Sequence, residues 1–446
     1  MDRTAWIAVI LCSLGILYFA TRPVPQMPNP GVGPDGNPVV IPEEKPVPGP
    51  GEAPADGTPA PEPGPQDPPP VAVAEKTLEI ETDKVVFTFS TRGGGVSRAR
   101  LKEHQALTGE DIIINGGFET QDGSAQPPIG ALSRGSNLPE PLDYSMTQPD
   151  PRTVVFRGVT PSKIEITKTY RLTDGVDTGD PYLLELDVDF KNVSGIEQTL
   201  SDYSLYAGVL THLHKDEQFF YVLYNWCNDG DVGYKDVNWF NGGKFIVQFR
   251  SPSELLTDTM EDLQWGGPNN QFFTSLVIPD QRGPGSIWAR RTEVTIPGIE
   301  EAEGSVKKYY AIQGGVSVPP MKLAADGIAS FGYQLYTGPR ELQRLEKIGH
   351  DLKGVMHYDT MPIFGGMMGI IPVVSSFLLK LMIKLGAMVG NWGVAILIIT
   401  FLIRVLIWPL HAKSTKTMKR MAKLSPMITD LREKYSDDPQ KMQTET

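Results

Sequence analysis

The chain has 446 residues and a formal net charge of −12, a length that suggests about three domains at ~150 residues each. Its mean hydropathy of −0.19 excludes a protein made mostly of membrane spans, and its acidity excludes a nucleic-acid binder as a whole, DNA included. The two cysteines, Cys12 and Cys227, cannot alone build a disulfide framework or a zinc site.

Residues 4–21 form an uncharged run of 18 bounded by Arg3 and Arg22. That length can span a bilayer core of about 30 Å at about 1.5 Å per residue. The run ends in Leu17-Tyr18-Phe19-Ala20-Thr21 without a small-x-small cleavage site, so residues 1–22 read as an uncleaved anchor in preference to a signal peptide. Cys12 lies in this apolar run and Cys227 in a polar region, so the two are not expected to pair. Of the 39 prolines, 18 lie between Pro23 and Pro70. Residues 23–74 have too few large apolar side chains to form a core and read as a disordered, extended spacer.

From residue 75 the pattern becomes one of strands. Leu184, Leu186, Val188 and Phe190 alternate with Glu185, Asp187, Asp189 and Lys191. Ile164, Ile166, Tyr170 and Leu172 repeat that period, with Lys168 as a polar intruder, and Val85, Phe87 and Phe89 alternate too. Turn clusters such as Thr173-Asp174-Gly175 and Asn241-Gly242-Gly243 separate the runs. Period-two runs with frequent turns predict antiparallel sheets packed as a large β-sandwich over residues 75–338. A terminal helix is expected over 339–355, with Pro339 at its first position and Leu342, Leu345, Ile348 and Leu352 on one face. Nothing here reads as catalytic. His212 and His214 lack an acidic or cysteine partner nearby and read as two surface histidines. Arg92-Gly93-Gly94-Gly95 has no P-loop lysine and reads as a tight turn. Asn192-Val193-Ser194 matches a glycosylation sequon, too short a pattern to weigh. No metal, nucleotide or other cofactor is expected.

Residues 361–390 are apolar but carry Lys380 and Lys384, in line with Ser376 at i, i+4, i+8. Phe377, Leu378, Leu381, Met382 and Leu385 cover the rest, which reads as a helix lying in the membrane interface. Residues 391–410 read as a transmembrane helix with Trp392 and Trp408 at the two interfacial positions and one arginine, Arg404, inside. From His411 to Lys434 seven basic residues, Lys413, Lys416, Lys419, Arg420 and Lys423 among them, face two acidic ones, a net of +5. A positive cluster beside a span marks its cytoplasmic end. With two spans, residues 75–355 then lie outside the cytoplasm. Met421, Leu424, Ile428, Leu431 and Tyr435 recur at 3-4-3-4 spacing, a coiled-coil seam within residues 411–446.

The segment Gly390-Asn391-Trp392-Gly393, then Ile398-Ile399-Thr400-Phe401-Leu402-Ile403-Arg404, then Pro409-Leu410, resembles the YidC/Oxa/Alb family. Thr91-Arg92-Gly93-Gly94, Ile166-Thr167-Lys168-Thr169-Tyr170 and Leu335-Tyr336-Thr337-Gly338-Pro339 are similar to the periplasmic domain of its Gram-negative members. The resemblance implies a multi-pass inner-membrane protein of mixed class. It has an anchored all-β sandwich, an interfacial helix, a transmembrane helix and the start of a cytoplasmic helical hairpin, with further spans expected past Thr446. It implies insertion and folding of nascent membrane proteins, alone or beside the Sec translocon. Arg404 and Thr400 would line a hydrophilic groove that takes the client's polar tail. The basic face Lys413, Lys416, Lys419, Arg420 and Lys423 suits lipid headgroups, the ribosome or a translocated chain. A second reading of another class is a membrane-anchored sandwich that binds glycan or protein, with the second span as a tether.

Overall fold

The computed structural model describes residues 74–357, apart from 107, 122, 140–141, 174–178, 215–216, 245–247 and 298–307, together with residues 370–409, 412, 415 and 418. The anchor, the proline-rich spacer, the 421–435 seam and the Thr173-Asp174-Gly175 turn beyond Thr173 lie outside the described residues.

Four antiparallel strands, Thr77–Glu81, Val85–Ser90, Gly95–Gln105 and Asp111–Ile114, form one sheet in chain order. A second, 14-stranded sheet runs through the rest of the domain. In it Leu183–Asn192 lies between Ile164–Leu172 and Ile328–Pro339, all antiparallel. The expected alternation is present: Leu184, Leu186, Val188 and Phe190 are buried while Glu185 is exposed. Val85–Ser90 departs from it, because all six of its residues are buried. The strand is covered on both faces. Its polar side chains find partners there, with Ser90 Oγ donating to Glu75 Oε1 at 2.6 Å and Thr88 Oγ1 to Glu79 Oε1 at 3.2 Å.

One hydrophobic core joins the two sheets and extends from Ile80 to Val355. Aromatic rings make the joint: Phe89 of the small sheet meets Tyr170 of the large one at 5.4 Å and Phe156 at 6.3 Å between ring centroids. The polar intruder of the Ile164–Leu172 strand sits at this joint. Lys168 is fully buried, and its Nζ donates to the carbonyls of Gly93 at 2.8 Å, Gly94 at 3.0 Å and Gly130 at 2.8 Å. The Tyr144 ring covers the ammonium at 4.7 Å, and Tyr170 Oη donates to the Gly94 carbonyl at 3.0 Å. The Thr91–Gly94 and Ile166–Tyr170 motifs are thus one contact in space. Gly130 must be glycine there: its φ is +81°, and a Cβ would lie 2.3 Å from Tyr170 Oη.

The end of the domain differs from expectation. Pro339 closes the strand Ile328–Pro339 and does not open a helix. Helix α1 is short, Leu342–Ile348, and is broken by Gly349, His350 and Asp351, all with positive φ. A 3-10 turn, Leu352–Met356, follows. Leu342, Leu345 and Leu352 are nevertheless all buried, because the break folds the tail back onto the sheet. Trp265 Nε1 donates to the His350 carbonyl at 3.0 Å, and the Arg340 guanidinium donates to the Val355 carbonyl at 2.5 Å. Among the described residues two longer helices follow, α2 at Ile370–Val389 and α3 at Trp392–Pro409.

Candidate functional site

Helix α3 is the one helix among the described residues that is long and apolar enough to cross a membrane, and only 11% of it is buried. Its start is built by local chemistry. Gly390, at φ +67°, ends α2 with its N–H on the Gly386 carbonyl at 2.9 Å. Asn391 then caps α3, its Oδ1 accepting from Gly393 N at 2.8 Å and Val394 N at 3.3 Å, which satisfies two otherwise orphaned donors. Asn391→Ala is expected to weaken that first turn by about 1 kcal/mol, read as faster amide exchange at Gly393 and Val394.

Two turns further on, Thr400 and Arg404 lie one turn apart on a face shared with Ile403, Ile407, Trp408, Ala412 and Thr415, which borders an open hollow of about 760 Å³. Both side chains are exposed. Thr400 Oγ1 donates to the Ile396 carbonyl at 2.7 Å, so the threonine satisfies its hydroxyl proton on its own helix and keeps lone pairs turned outward. Arg404 is the one charged residue of Trp392–Pro409. On α2, Lys380 and Lys384 are both exposed, with Lys380 Nζ 3.5 Å from Glu346 of α1. Lys413, Lys416, Lys419, Arg420 and Lys423 lie outside the described residues.

The sandwich's own candidates resolve into structural roles. His212 is buried, not at the surface as expected, with its ring edge-on to Phe219 at 5.1 Å and Tyr309 at 5.6 Å. Those two rings cover it from the 3-10 turn Phe219–Tyr221 and the strand Tyr309–Ser317. His214 is half-buried beside Phe272. No group of three or more metal-ligating side chains occurs among the described residues. The sequon asparagine is fully buried, and its Nδ2 donates to the carbonyls of Ile196, Leu323 and Ala324. Cys227 is a buried free thiol in the strand Leu223–Asn228, not part of a polar surface, and burial pushes its pKa up to about 11. Such a thiol is unreactive at neutral pH. Sequence reasoning missed Glu217, a buried acid whose carboxylate takes the Leu213 and Gln271 N–H groups at 2.8 and 2.9 Å. Leu213 is four residues away in its own loop, but Gln271 is 54 residues away in the chain, so no local pattern signals the bridge between the two loops.

A large β-sandwich followed by a lysine-bearing helix and an apolar, arginine-bearing candidate span defines a class of membrane protein, and the comparisons give it a family. The YidC periplasmic domain matches residues 77–368, and the 60Kd inner membrane protein family matches residues 384–446. The chain belongs to the YidC family. It is 25% identical to the membrane protein insertase YidC of Syntrophus aciditrophicus, over all of this chain and 77% of that protein. It is 27% identical to that of Citrifermentans bemidjiense and 26% to that of Burkholderia cenocepacia, over 81% and 83% of this chain. In those two the chain spans only 61% and 62% of the relative's length. A galactose mutarotase-like protein of Lactobacillus casei aligns with 59% of this chain and all of its own at 11% identity, but its TM-score of 0.34 is too low to bear on function.

Proposed function

We propose that the protein inserts and folds nascent membrane proteins at the inner membrane, alone or beside the Sec translocon, through a hydrophilic groove lined by Arg404 and Thr400. One observation carries the reading: an arginine stands inside an otherwise uncharged, outward-facing apolar helix in the segment that matches the 60Kd inner membrane protein family. A charge at mid-span costs about 2.5–3.5 kcal/mol on insertion scales, and such residues are usually functional. A guanidinium cannot shed its proton to escape that cost, so water must follow it into the bilayer. The hydrated face attracts the acidic polar tail of a client while the client's apolar segment passes to lipid. The basic residues from Lys413 to Lys423 meet lipid headgroups or the ribosome on the cytoplasmic side. A mere tether for a glycan- or protein-binding sandwich would need no arginine at this position.

Arg404→Ala is expected to reduce insertion of acidic-tailed clients roughly tenfold, the equivalent of about 1.4 kcal/mol, while Arg404→Lys retains part of the activity. Insertion of several such clients into proteoliposomes measures this. Parental insertion by Arg404→Ala would reduce the arginine to an interface anchor whose side chain snorkels past Trp408.

The topology that accompanies this reading puts residues 75–355 in the periplasm and the 411–446 segment in the cytoplasm. It rests on the +5 cluster after Leu410 and the parity of two spans. Protease added to spheroplasts is expected to cut within residues 23–74. Cleavage there only after lysis would reverse the orientation.

A further inference from the structure

Helices α2 and α3 are joined by two residues, Gly390 and Asn391. Three contacts fix the joint. Gly390 ends the first helix at positive φ with its N–H on the Gly386 carbonyl, and Asn391 caps the next helix through both its backbone and its side chain. The third contact is between side chain and backbone. Trp392 lays its indole on Gly386, so closely that a Cβ at Gly386 would lie 2.6 Å from Cζ3 of the ring. Gly386 is buried, although its neighbours Ala387, Met388 and Val389 are exposed. Only a residue without a side chain admits the ring at this distance.

We propose that Gly386, Gly390, Asn391 and Trp392 form a rigid elbow that sets the rotation of the span about its own axis, and so the direction in which the Arg404 face opens. The proposal rests on the groove reading of Arg404 and deepens it. Its geometry is that of the helix. Arg404 is twelve residues after Trp392, about 120° further round at 100° per residue. Thr400, eight residues after Trp392, is about 80° round in the same sense. A helix lying in the membrane interface has its orientation fixed by the interface. Seating Trp392 on it therefore points the Thr400–Arg404 face to one side of α2 and turns Leu402, about 160° from Arg404, away. Free rotation would let the span bury its charged face against whichever surface is most polar. The elbow prevents that, which makes Trp392 and Gly386 positioning residues for the groove.

The test uses the intact protein in liposomes of phosphatidylethanolamine and phosphatidylglycerol, with nitroxide labels at positions 377 and 402, both of which are exposed. The parent is expected to give one narrow distance distribution, and Trp392→Ala one roughly twice as wide. Trp392→Phe, which keeps a ring on the glycine, stays near the parent. Gly386→Ala shifts the distribution when Trp392 is present and adds nothing to Trp392→Ala, because the two changes remove the same contact. Water-soluble maleimide supplies the second readout. Its preference for a cysteine at 400 over one at 402 is expected to fall roughly threefold in Trp392→Ala as orientations mix. Parental distances in both Trp392→Ala and Gly386→Ala would overturn the elbow. Equal labelling at 400 and 402 in the parent would instead overturn the groove, and the distance measurement would still decide the elbow by itself.

Discussion

Lys168→Met is expected to destabilise the sandwich by about 3–5 kcal/mol, since it strands buried carbonyls that cost about 1–3 kcal/mol each when left without a donor. The three acceptors, Gly93, Gly94 and Gly130, take one N–H each. An ammonium has three such donors and a neutral amine two. Burial pushes the lysine's pKa well down, and the carbonyls and the Tyr144 face act against it by favouring the charged form. Methionine fills much of the same volume and removes all three bonds, so packing is nearly conserved and the loss reports the polar contact. The consequence reaches beyond one strand, because Gly93 and Gly94 connect two strands of the small sheet while Lys168 belongs to the large one. A loss of that size is a large fraction of the 5–15 kcal/mol typical of a folded domain. Urea denaturation of the intact protein in detergent, followed by tryptophan fluorescence, measures it. A loss under about 1 kcal/mol would show that water satisfies these carbonyls once the lysine is gone.

Lys168 also shows where sequence reading runs out. Period-two alternation predicts Ile164–Leu172 and Leu183–Asn192 because one face of each strand meets the core, and the burial pattern repeats every second residue. The same rule makes Lys168 an anomaly, and alternation cannot say what resolves it. Its acceptors lie 74, 75 and 38 residues away in the chain. Val85–Ser90 is the reverse case: its polar positions suggest an exposed face, but a covering layer buries them against Glu75 and Glu79. His212 misled for a related reason, since a histidine ring can be buried edge-on against aromatics without declaring itself in a pattern. Pro339 is compatible with both a helix start and a strand end. The sheet decided for the strand, pairing it with Phe273. Arg404 was legible because a charge in an apolar run is conspicuous without any tertiary information. The Trp392–Gly386 contact was not, although the motif containing Trp392 was, because it depends on how two helices meet.

The tail that closes the sandwich is expected to detach in mild acid before the sandwich unfolds. His357 ends the Leu352–Met356 turn and packs against Tyr234, the two rings tilted with centroids 4.7 Å apart. Burial, reinforced by the nearby positive charge of Arg340, pushes its pKa down to about 3. Its ring is partly exposed overall, but Nε2 is sealed from solvent, and that nitrogen must take the proton or hold it. The unfolded histidine titrates near 6.5. Above that value both states are neutral and the docked tail has its full stability. Below it the undocked state gains a proton that the docked state refuses, so stability falls with pH from about 6.5 towards 3. At pH 5 the loss is on the order of 2 kcal/mol, at 1.36 kcal/mol per unit. The tail must bear it, because His357 regains water by local opening without disturbing the strands. Leu345, Leu352 and Val355 hold the tail by apolar contact, which pH leaves unchanged. Protection factors for the Leu352, Gly354 and His357 amides, whose bonds define the turn, are therefore expected to drop between pH 7 and 5. Those of the Leu183–Asn192 strand should hold. His357→Phe keeps a ring against Tyr234 and has no proton to take, so it should remove the pH dependence and leave the docked tail in place. An unchanged pH slope in His357→Phe would assign the acid response to another group, with Glu217 excluded by sign. Burial pushes that carboxyl's pKa up, so its protonation favours the folded state as pH falls.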